Sequence, residues 1–418
     1  MCYNRKQRNQ KRVDASMKRE IWQVNLKILW FGCFLAGVGF SLVMPFMALY
    51  IDTLGDFTSK EVSMWSGITF SSTFFVTAIV APFWGKLADR KGRKLMLLRT
   101  ALGMAIVIAL MGTVQNVYQL IGLRLLQGFF SGFISNATAL IATQVPREKS
   151  GATLGTLTTG SVTGTLMGPL AGGTIAEFFG FRITFFITGF LLFLVFLLCL
   201  FFVKENFEPV LKEDELSGKA VLAELKFPRV IIGMFVTTMM IQVAANSISP
   251  ILSLYVKQLA GESSNVAFIS GIVASVPGIA TLLAAPRLGA LGDRIGSERV
   301  LKAGLLFSVI ILIPMAFVTQ VWQLAVLRFL LGVSDAALIS AVQAILTKNT
   351  PHAVAGRIFS YNQSFQAMGN VMGPLLGSVI SASLGFSGVF LITPLFIISN
   401  FFLVQRNTKN IKKIQSNK

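Results

Sequence analysis

Arg124, Arg328 and Asp335 are charged side chains that stand deep inside long apolar stretches of this 418-residue chain. Arg124 lies in QLIGLRLLQG and Arg328 lies in QLAVLRFLLG, so the same position is charged twice, 204 residues apart. Asp335 follows Arg328 by two helical turns and is the only acid that we place deep in a predicted helix. A charge inside a membrane helix indicates a functional site, the alternative being an arginine that reaches back to the interface.

We predict that four residues take part in proton coupling: Arg124, Asp335, Asp52 and Glu177. A carboxyl group can exchange a proton at ordinary pH, whereas arginine cannot. Asp52 and Glu177 lie near the outer ends of their predicted helices and are alternatives to Asp335 as the group that titrates. Asp335 could instead be a static partner of Arg328.

A charged loop also occurs twice, as APFWGKLADRKGRK at 81–94 and APRLGALGDRIGSER at 285–299. In each copy an acid, Asp89 or Asp293, stands among bases at a predicted helix end. Such an acid can pair with an arginine of its own loop or with the end of a helix from the other copy, most simply the eleventh. The contact could exist in one conformation and break in another, the alternative being a signal for topology alone. The predicted switching residues in these loops are Gly85, Asp89, Arg90, Gly92, Arg93, Asp293 and Arg294.

Glycines recur every four residues in two predicted helices, which creates a bare ridge on one face of each helix. A proline inside each ridge predicts a bend. The ridges allow tight packing, and they are also surfaces where two halves of the molecule could slide or seal. The residues that we add to the switching set for this reason are Gly164, Gly168, Pro169, Gly172, Gly373 and Pro374.

The elements that carry these motifs are predicted to be membrane helices. The chain is 54% hydrophobic and 13% charged, with a mean hydropathy of +0.69, whereas soluble domains carry about 25% charged residues. Its apolar runs are continuous and lack the period of two that β-barrels show. The twelve predicted spans are 24–48, 62–83, 95–113, 118–140, 153–175, 181–203, 230–252, 267–289, 300–317, 322–345, 358–381 and 385–404.

The repeat and the spans together predict an all-α polytopic membrane protein made of two pseudo-symmetric six-helix bundles. The bundles are residues 24–203 and 230–404, with Arg124 and Arg328 as symmetry mates. Transporters are commonly built from such duplicated units, with the substrate site between them.

Most of the 37 lysines and arginines fall in the termini and the even-numbered loops, so both termini are predicted to be cytoplasmic. Residues 1–23 and 405–418 are then basic cytoplasmic tails, and 204–229 is a cytoplasmic linker. Residues 1–20 lack the apolar core of a cleavable signal peptide, and Met17 could be an alternative start. The net charge of +19 does not indicate a nucleic-acid partner, because no contiguous soluble domain is predicted.

Enzymatic and metal-binding motifs are missing from the sequence. Cys2, Cys33 and Cys199 are isolated, and the single histidine, His352, lies in a predicted loop. The chain has no HExxH, GxSxG or phosphate-binding P-loop. We therefore expect no cofactor, no metal and no catalytic residue, and we expect transport to be driven by an ion gradient rather than by ATP.

The motifs resemble those of the major facilitator superfamily. GKLADRKGRK is similar to the signature loop between its second and third helices, and Arg124 with Gln127 and Gly128 is similar to its helix-4 motif. GTLMGPLAGG at 164–173 is similar to the helix-5 motif that marks antiporters. Over about residues 20–405 the chain resembles the twelve-helix drug:proton antiporters.

The resemblance implies export of amphipathic drugs in exchange for protons by alternating access, in the cell membrane and as a monomer. It links Arg124 to proton coupling and Asp89 to switching. An exporter of a sugar, a peptide or another metabolite with the same fold is the alternative. Many relatives carry a coupling carboxylate in helix 1 or helix 4, and this chain has none there, so Asp335 is assigned by position alone.

By analogy with the superfamily, spans 1, 4, 7 and 10 are expected to line a central cavity. Aromatic and methionine side chains suit an adaptable drug site, although most of the 36 phenylalanines must pack in the core or face lipid. The substrate-binding candidates are Phe34, Met44, Phe46, Phe129, Phe133, Asn136, Met239, Gln242 and Asn246.

Overall fold

The computed structural model of the chain describes residues 2–146, 149–205, 207, 225, 227–261, 265–351 and 355–415. The side chains of residues 2–20, 86, 89, 150–152, 355–357 and 408–415 lie outside that description, and so does most of the predicted linker. Within these limits the protein is all-helical.

The N-terminal half contains eight helices joined by short turns. In chain order they are α1 (Cys2–Leu42), α2 (Met47–Asp52), α3 (Ser59–Lys91), α4 (Arg93–Met111), α5 (Val117–Phe129), α6 (Phe133–Gln144), α7 (Ser150–Phe179) and α8 (Phe181–Phe202).

The C-terminal half repeats this order. Its helices are α9 (Pro228–Ile248), α10 (Leu252–Ala260), α11 (Val266–Ile295), α12 (Ser297–Met315), α13 (Val321–Asn349) and α14 (Ala355–Gln415). The α14 segment contains two helices that meet at Gly385. In the described part of the chain, nine helices are long and apolar enough to cross a membrane, and one of these, Ile358–Asn407, includes both helices of α14.

The tight turns between helices fall on matching glycines. Gly92 and Gly296 have φ angles of 94° and 99°, and Gly180 and Gly385 have φ angles of 82° and 75°. Residues with a Cβ atom rarely adopt this conformation. The chain can therefore reverse direction across a single residue at the same two places in each half.

A matching tyrosine ties each half together. The Tyr50 hydroxyl donates to the Met111 carbonyl at 2.9 Å, and the Tyr255 hydroxyl donates to the Met315 carbonyl at 3.0 Å. Each half also has its own apolar core. The predicted fold of twelve spans in two pseudo-symmetric bundles is thus confirmed, with Arg124 in α5 and Arg328 at the matching place in α13.

The spans differ from the prediction where the backbone cannot continue as a helix. Spans 1 and 7 are each interrupted, beside Pro45 and Pro250, because proline lacks the N–H that the helix ladder needs. Span 4 is divided into α5 and α6, with Gly132 between them at a φ angle of 105°. Its counterpart α13 is unbroken.

The glycine ridges pack inside each half. A Cβ atom at Gly164 would overlap the Phe34 carbonyl of α1, and one at Gly168 or Gly172 would meet the same helix. Gly373 packs in the same way against Val243 of α9. These glycines therefore pack on a helix of their own half, whereas we predicted a surface along which the two halves slide or seal. They join α7 to α1 and α14 to α9.

The prolines of the ridges, in contrast, face the other half. The Pro169 carbonyl lies against Gly271 of α11, and the Pro374 carbonyl lies against Gly67 of α3. Matched backbone carbonyls of the two prolines therefore lie at the surface where the two halves meet.

Replacing Gly164 by alanine tests the packing of α7 on α1. We expect the variant to lose about 1–3 kcal/mol of stability, because the new methyl group has no space beside the Phe34 carbonyl. Thermal unfolding of the purified protein in detergent measures the loss. Gly155→Ala is the matched control, since Gly155 lies in the same helix with no neighbouring atom within 4 Å of its Cβ position. Equal unfolding temperatures for both variants would contradict the interpretation.

Candidate functional site

The two halves touch through α3 with α14. The Ser71 hydroxyl donates to the Val371 carbonyl at 2.7 Å, and the hydroxyl oxygens of Ser63 and Ser381 are 3.4 Å apart. Gly67 lies between these positions, against Pro374 and Ser378. These contacts involve the first half of α3, remote from the Gly92 turn at its other end.

Two acidic side chains also connect the two halves at this end of the molecule. The Asp52 carboxylate forms a 2.8 Å ion pair with Lys257 of α10. The Glu177 carboxylate accepts from the backbone N–H of Ala267 at 3.1 Å, in the first turn of α11, where the helix dipole favours negative charge. Both predicted alternative proton carriers therefore join one half to the other.

The hydrogen bonds and the ion pair described above all join the halves at the end away from the Gly92 and Gly296 turns. Gly85 of α3, Gly155 of α7 and Gly289 of α11 have no neighbouring atom within 4 Å of their Cβ positions. We call the two ends the closed end and the open end. A space between the halves that is sealed at one end and accessible from the other can hold a small molecule.

Arg124 is buried, and no acid pairs with it in the described part of the chain. Its side chain is only 3% exposed. Its Nη1 donates to Gln127 Oε1 at 2.9 Å, whereas its Nε and Nη2 find no partner in the described part of the chain. The guanidinium carbon lies 5.8 Å from the centroid of the Phe70 ring. A buried cation with free N–H groups can respond to a charge that arrives from elsewhere.

Asp335 lies inside the C-terminal half, not beside Arg124. It lines a cavity of about 20 Å³ between α9, α12, α13 and α14, together with Ser308 and Asn400. That space is large enough for one water molecule. Asp335 and Arg328, both described, make no ion pair within 4 Å.

The break in span 4 is stabilised by an arginine that we did not predict. Arg99 of α4 donates from Nη1 to the Phe129 carbonyl at 3.1 Å and from Nη2 to the Ser131 carbonyl at 3.2 Å. Its guanidinium stacks on Trp84, 3.5 Å from the ring centroid. Arg99 thus supplies donors to carbonyls near the interruption, where the regular ladder of the helix is lost.

The C-terminal half lacks this arrangement. At the offset of 204 residues, Ala303 corresponds to Arg99 and Ala336 corresponds to Gly132, and α13 runs on without a break. The signal that could have revealed the site is Arg99 itself, which lies within an apolar predicted span as Arg124 does.

The charged loops give a mixed result. The side chain of Asp89 lies outside the described part, so its predicted contact stays a prediction. Its counterpart Asp293 forms an exposed 3.0 Å ion pair with Lys348 of its own half. Glu205 was not predicted. It accepts from the backbone N–H groups of Arg93 and Lys94 at 2.8 and 2.7 Å, and so caps the first turn of α4 at the signature loop.

The candidates for substrate binding in the N-terminal half lie largely in its packing. Phe46 is fully buried, with its ring stacked 5.4 Å from that of Phe181, and Phe133 is buried beside Gly32. Asn136 is buried and donates to the Gly132 carbonyl at 2.8 Å.

The other three candidates of this half also make ring or core contacts. Phe34 stacks on Trp30, Met44 packs against the apolar core, and Phe129 meets the edge of Trp84. Only Phe129 is exposed among the aromatic candidates.

The candidates of the C-terminal half are more accessible. Met239, Gln242 and Asn246 of α9 are partly exposed. Asn246 Nδ2 lies 3.1 Å from Asn370 Oδ1 of α14, a residue that our sequence criteria did not select because span 11 was not expected to line the cavity.

Comparison with known proteins supports the resemblance. The sequence profile of the Major Facilitator Superfamily matches residues 29–275 and 234–417. The chain is 59% identical over 379 residues to "Multidrug resistance protein MdtG" of Salmonella typhimurium, which covers 91% of this chain and 94% of that protein. The same figures hold for the protein of that name from Salmonella arizonae.

Solved transporters share the fold at low sequence identity. A bacterial homolog of the human lysosomal transporter Spinster, in an inward-facing and occupied conformation, superposes with a TM-score of 0.76 at 14% identity, over 92% of this chain and 96% of that chain. A point mutant of the nucleoside transporter NupG gives a TM-score of 0.73 at 16% identity, over 92% of this chain and 99% of that chain.

Removing the Asp52 charge should loosen the closed end. An exposed ion pair contributes about 0.2–1 kcal/mol, so Asp52→Asn should raise opening at this end by roughly 1.5- to 5-fold. A cysteine at Ser63, which is buried where the halves meet, reports opening through its rate of maleimide labelling. The exchange Asp52→Lys with Lys257→Asp should restore slow labelling. Equal rates in wild type and Asp52→Asn would refute the role of this pair.

Replacing Arg99 by methionine should destabilise the break in span 4. Two carbonyls lose their donors, which costs about 1–3 kcal/mol when the groups are buried. Thermal unfolding measures the effect, and faster amide exchange at Ser131–Phe133 would localise it. Ala303→Met is the matched control, since Ala303 is exposed beside the unbroken helix. An Arg99→Met protein as stable as the control would exclude this role.

Proposed function

The chain belongs to the Major Facilitator Superfamily, and we propose that it exports amphipathic small molecules in exchange for protons by alternating access. The observation that carries the proposal is the one-sided closure of two pseudo-symmetric halves. Such a molecule can expose a central space to one side of a membrane at a time. The substrate class follows from the relatives at 59% identity whose name is that of a multidrug resistance protein.

The chain is a multi-pass membrane protein, and we propose the cell membrane as its location. The open end carries the basic loops, and basic loops favour the cytoplasm. Substrate then enters the described conformation from the cytoplasm, and both termini are cytoplasmic. Because one chain contains both halves of the central space, we propose that the monomer is the functional unit.

The export step requires the closed end to open. Its polar contacts in the described part are an exposed ion pair, a capped helix end and serine hydrogen bonds, beside the close packing of α3 on α14 and of α7 on α11. Each polar contact contributes on the order of 1 kcal/mol. Substrate binding can supply a difference of this size between two conformations.

We assign the proton to Asp335. Its carboxyl lies beside a space for one water, and Ser308 and Asn400 offer polar atoms along that space. Arg328 and Arg124 provide fixed positive charge in matching helices, so protonation of Asp335 changes the net charge of one half only. Asp52 and Glu177 rank second, because each is already engaged across the closed end.

Asp335→Asn tests both the function and the assignment. In inverted vesicles, wild type should take up the amphipathic dye Hoechst 33342 when a proton gradient is present and stop when an uncoupler is added. Asp335→Asn should bind the dye and lose uphill uptake, since its amide cannot exchange a proton. Ile397→Val, which alters the lining of the same cavity without removing a polar or titratable group, should keep uphill uptake.

The other outcomes are equally informative. Full uphill uptake by Asp335→Asn would eliminate this residue as the carrier and direct attention to Asp52 and Glu177. Wild-type uptake that ignores the uncoupler would contradict proton exchange. Failure to transport any drug or dye would favour an exporter of a sugar, a peptide or another metabolite.

A further inference from the structure

Three amide side chains meet where α9 packs against α14. Asn246 Nδ2 lies 3.0 Å from the Gln242 carbonyl, 3.2 Å from Gln242 Oε1 and 3.1 Å from Asn370 Oδ1. We call Gln242, Asn246 and Asn370 the amide cluster. One NH₂ group thus holds the other two side chains in place.

The cluster leaves hydrogen-bonding capacity unused. Each amide offers two N–H donors and a carbonyl acceptor. Three polar atoms have no hydrogen-bond partner in the described part of the chain: Gln242 Nε2, Asn370 Nδ2 and Asn246 Oδ1. None of these atoms is fully buried. All three side chains are partly exposed. Two NH₂ groups, with four N–H donors between them, and one acceptor oxygen are therefore fixed in position and accessible.

The cluster also lies next to the surface where the halves meet. Asn370 directly precedes Val371, whose carbonyl accepts from Ser71 of the other half. Gly369 and Gly373, on either side, bring α14 against Met239 and Val243 of α9. Polar groups at this point are adjacent to the closed end of the space between the halves.

Packing alone does not require amides at these positions. At the offset of 205 residues, the corresponding residues of the N-terminal half are Gly37, Ser41 and Thr165. The two hydroxyl groups among them donate mainly to carbonyls of their own helices. The Ser41 hydroxyl donates to the Gly37 carbonyl at 2.8 Å, and the Thr165 hydroxyl donates to the Ser161 carbonyl at 2.9 Å. The same close contact between helices thus forms without any free donor.

We propose that the amide cluster is a specificity subsite for an uncharged hydrogen-bonding group of the exported molecule, such as an amide or a neighbouring carbonyl and hydroxyl. Gln242 and Asn370 donate to the substrate oxygen, and Asn246 Oδ1 accepts from its N–H or O–H. A site of this kind discriminates against an analogue without the group, because its own polar atoms are left unpaired. The inference rests on the proposed export function.

Competition between two small compounds tests the subsite. The reporter is proton-driven dye uptake into inverted vesicles, and the competitors are 4-pentylbenzamide and 4-pentyltoluene, which differ in the amide. The measured quantity is the ratio of their half-inhibitory concentrations. Partitioning into lipid is the same for every variant, so a change in this ratio reports the protein. Asn370→Leu should reduce the preference for the amide by roughly tenfold, and Gln242→Leu should act in the same direction.

Met368→Leu is the matched control, because Met368 is exposed on the same helix and offers no donor. It should leave the ratio unchanged. A wild type that shows no preference for the amide, or an Asn370→Leu or Gln242→Leu protein that keeps the wild-type preference, would overturn the proposal. Should one leucine variant fail to fold, the other decides. Absence of any proton-driven dye uptake by wild type would instead contradict the export function itself.

Discussion

Each backbone carbonyl that leaves a helix inside a bilayer needs a donor from the protein, because no water is present to supply one. Much of the structure follows from this constraint. The hydroxyls of Tyr50 and Tyr255 serve the ends of α4 and α12, and Arg99 serves the break between α5 and α6. The carbonyls of Pro169 and Pro374 lie at the surface where the halves meet, so the proline-containing turns of α7 and α14 are part of that interface.

The two halves keep the same frame and differ in their polar interiors. Within the described residues, the N-terminal half contains a buried arginine that pairs with no acid, and a divided span 4. The C-terminal half contains Asp335 beside a small cavity, an unbroken α13 and the amide cluster. A symmetric frame is compatible with movement of the halves against each other, while the proposed proton carrier and the proposed polar subsite both lie in the C-terminal half.

The frame could be predicted from the sequence because it depends on patterns that repeat. Apolar runs indicate the spans, and the matching glycines at Gly92 and Gly296 indicate the turns. The division of span 4 was missed because both of its parts are apolar, so that hydropathy cannot distinguish a broken helix from a continuous one. The contacts of individual side chains could not be predicted from the sequence either. The sequence alone does not show which of Phe46 and Asn370 can contact a substrate. In the structure Phe46 is buried in the core, whereas Asn370 accepts a hydrogen bond from the Asn246 amide of another helix.

The divided span makes Arg99 and the break depend on each other. The break with alanine at the position of Arg99, as the C-terminal half has at Ala303, would leave the Phe129 and Ser131 carbonyls without this donor. An arginine beside an unbroken helix would instead be a long side chain that can extend to the interface. Loss of the arginine is therefore costlier while the break is present, so the break restricts which residue the neighbouring helix can carry at this position.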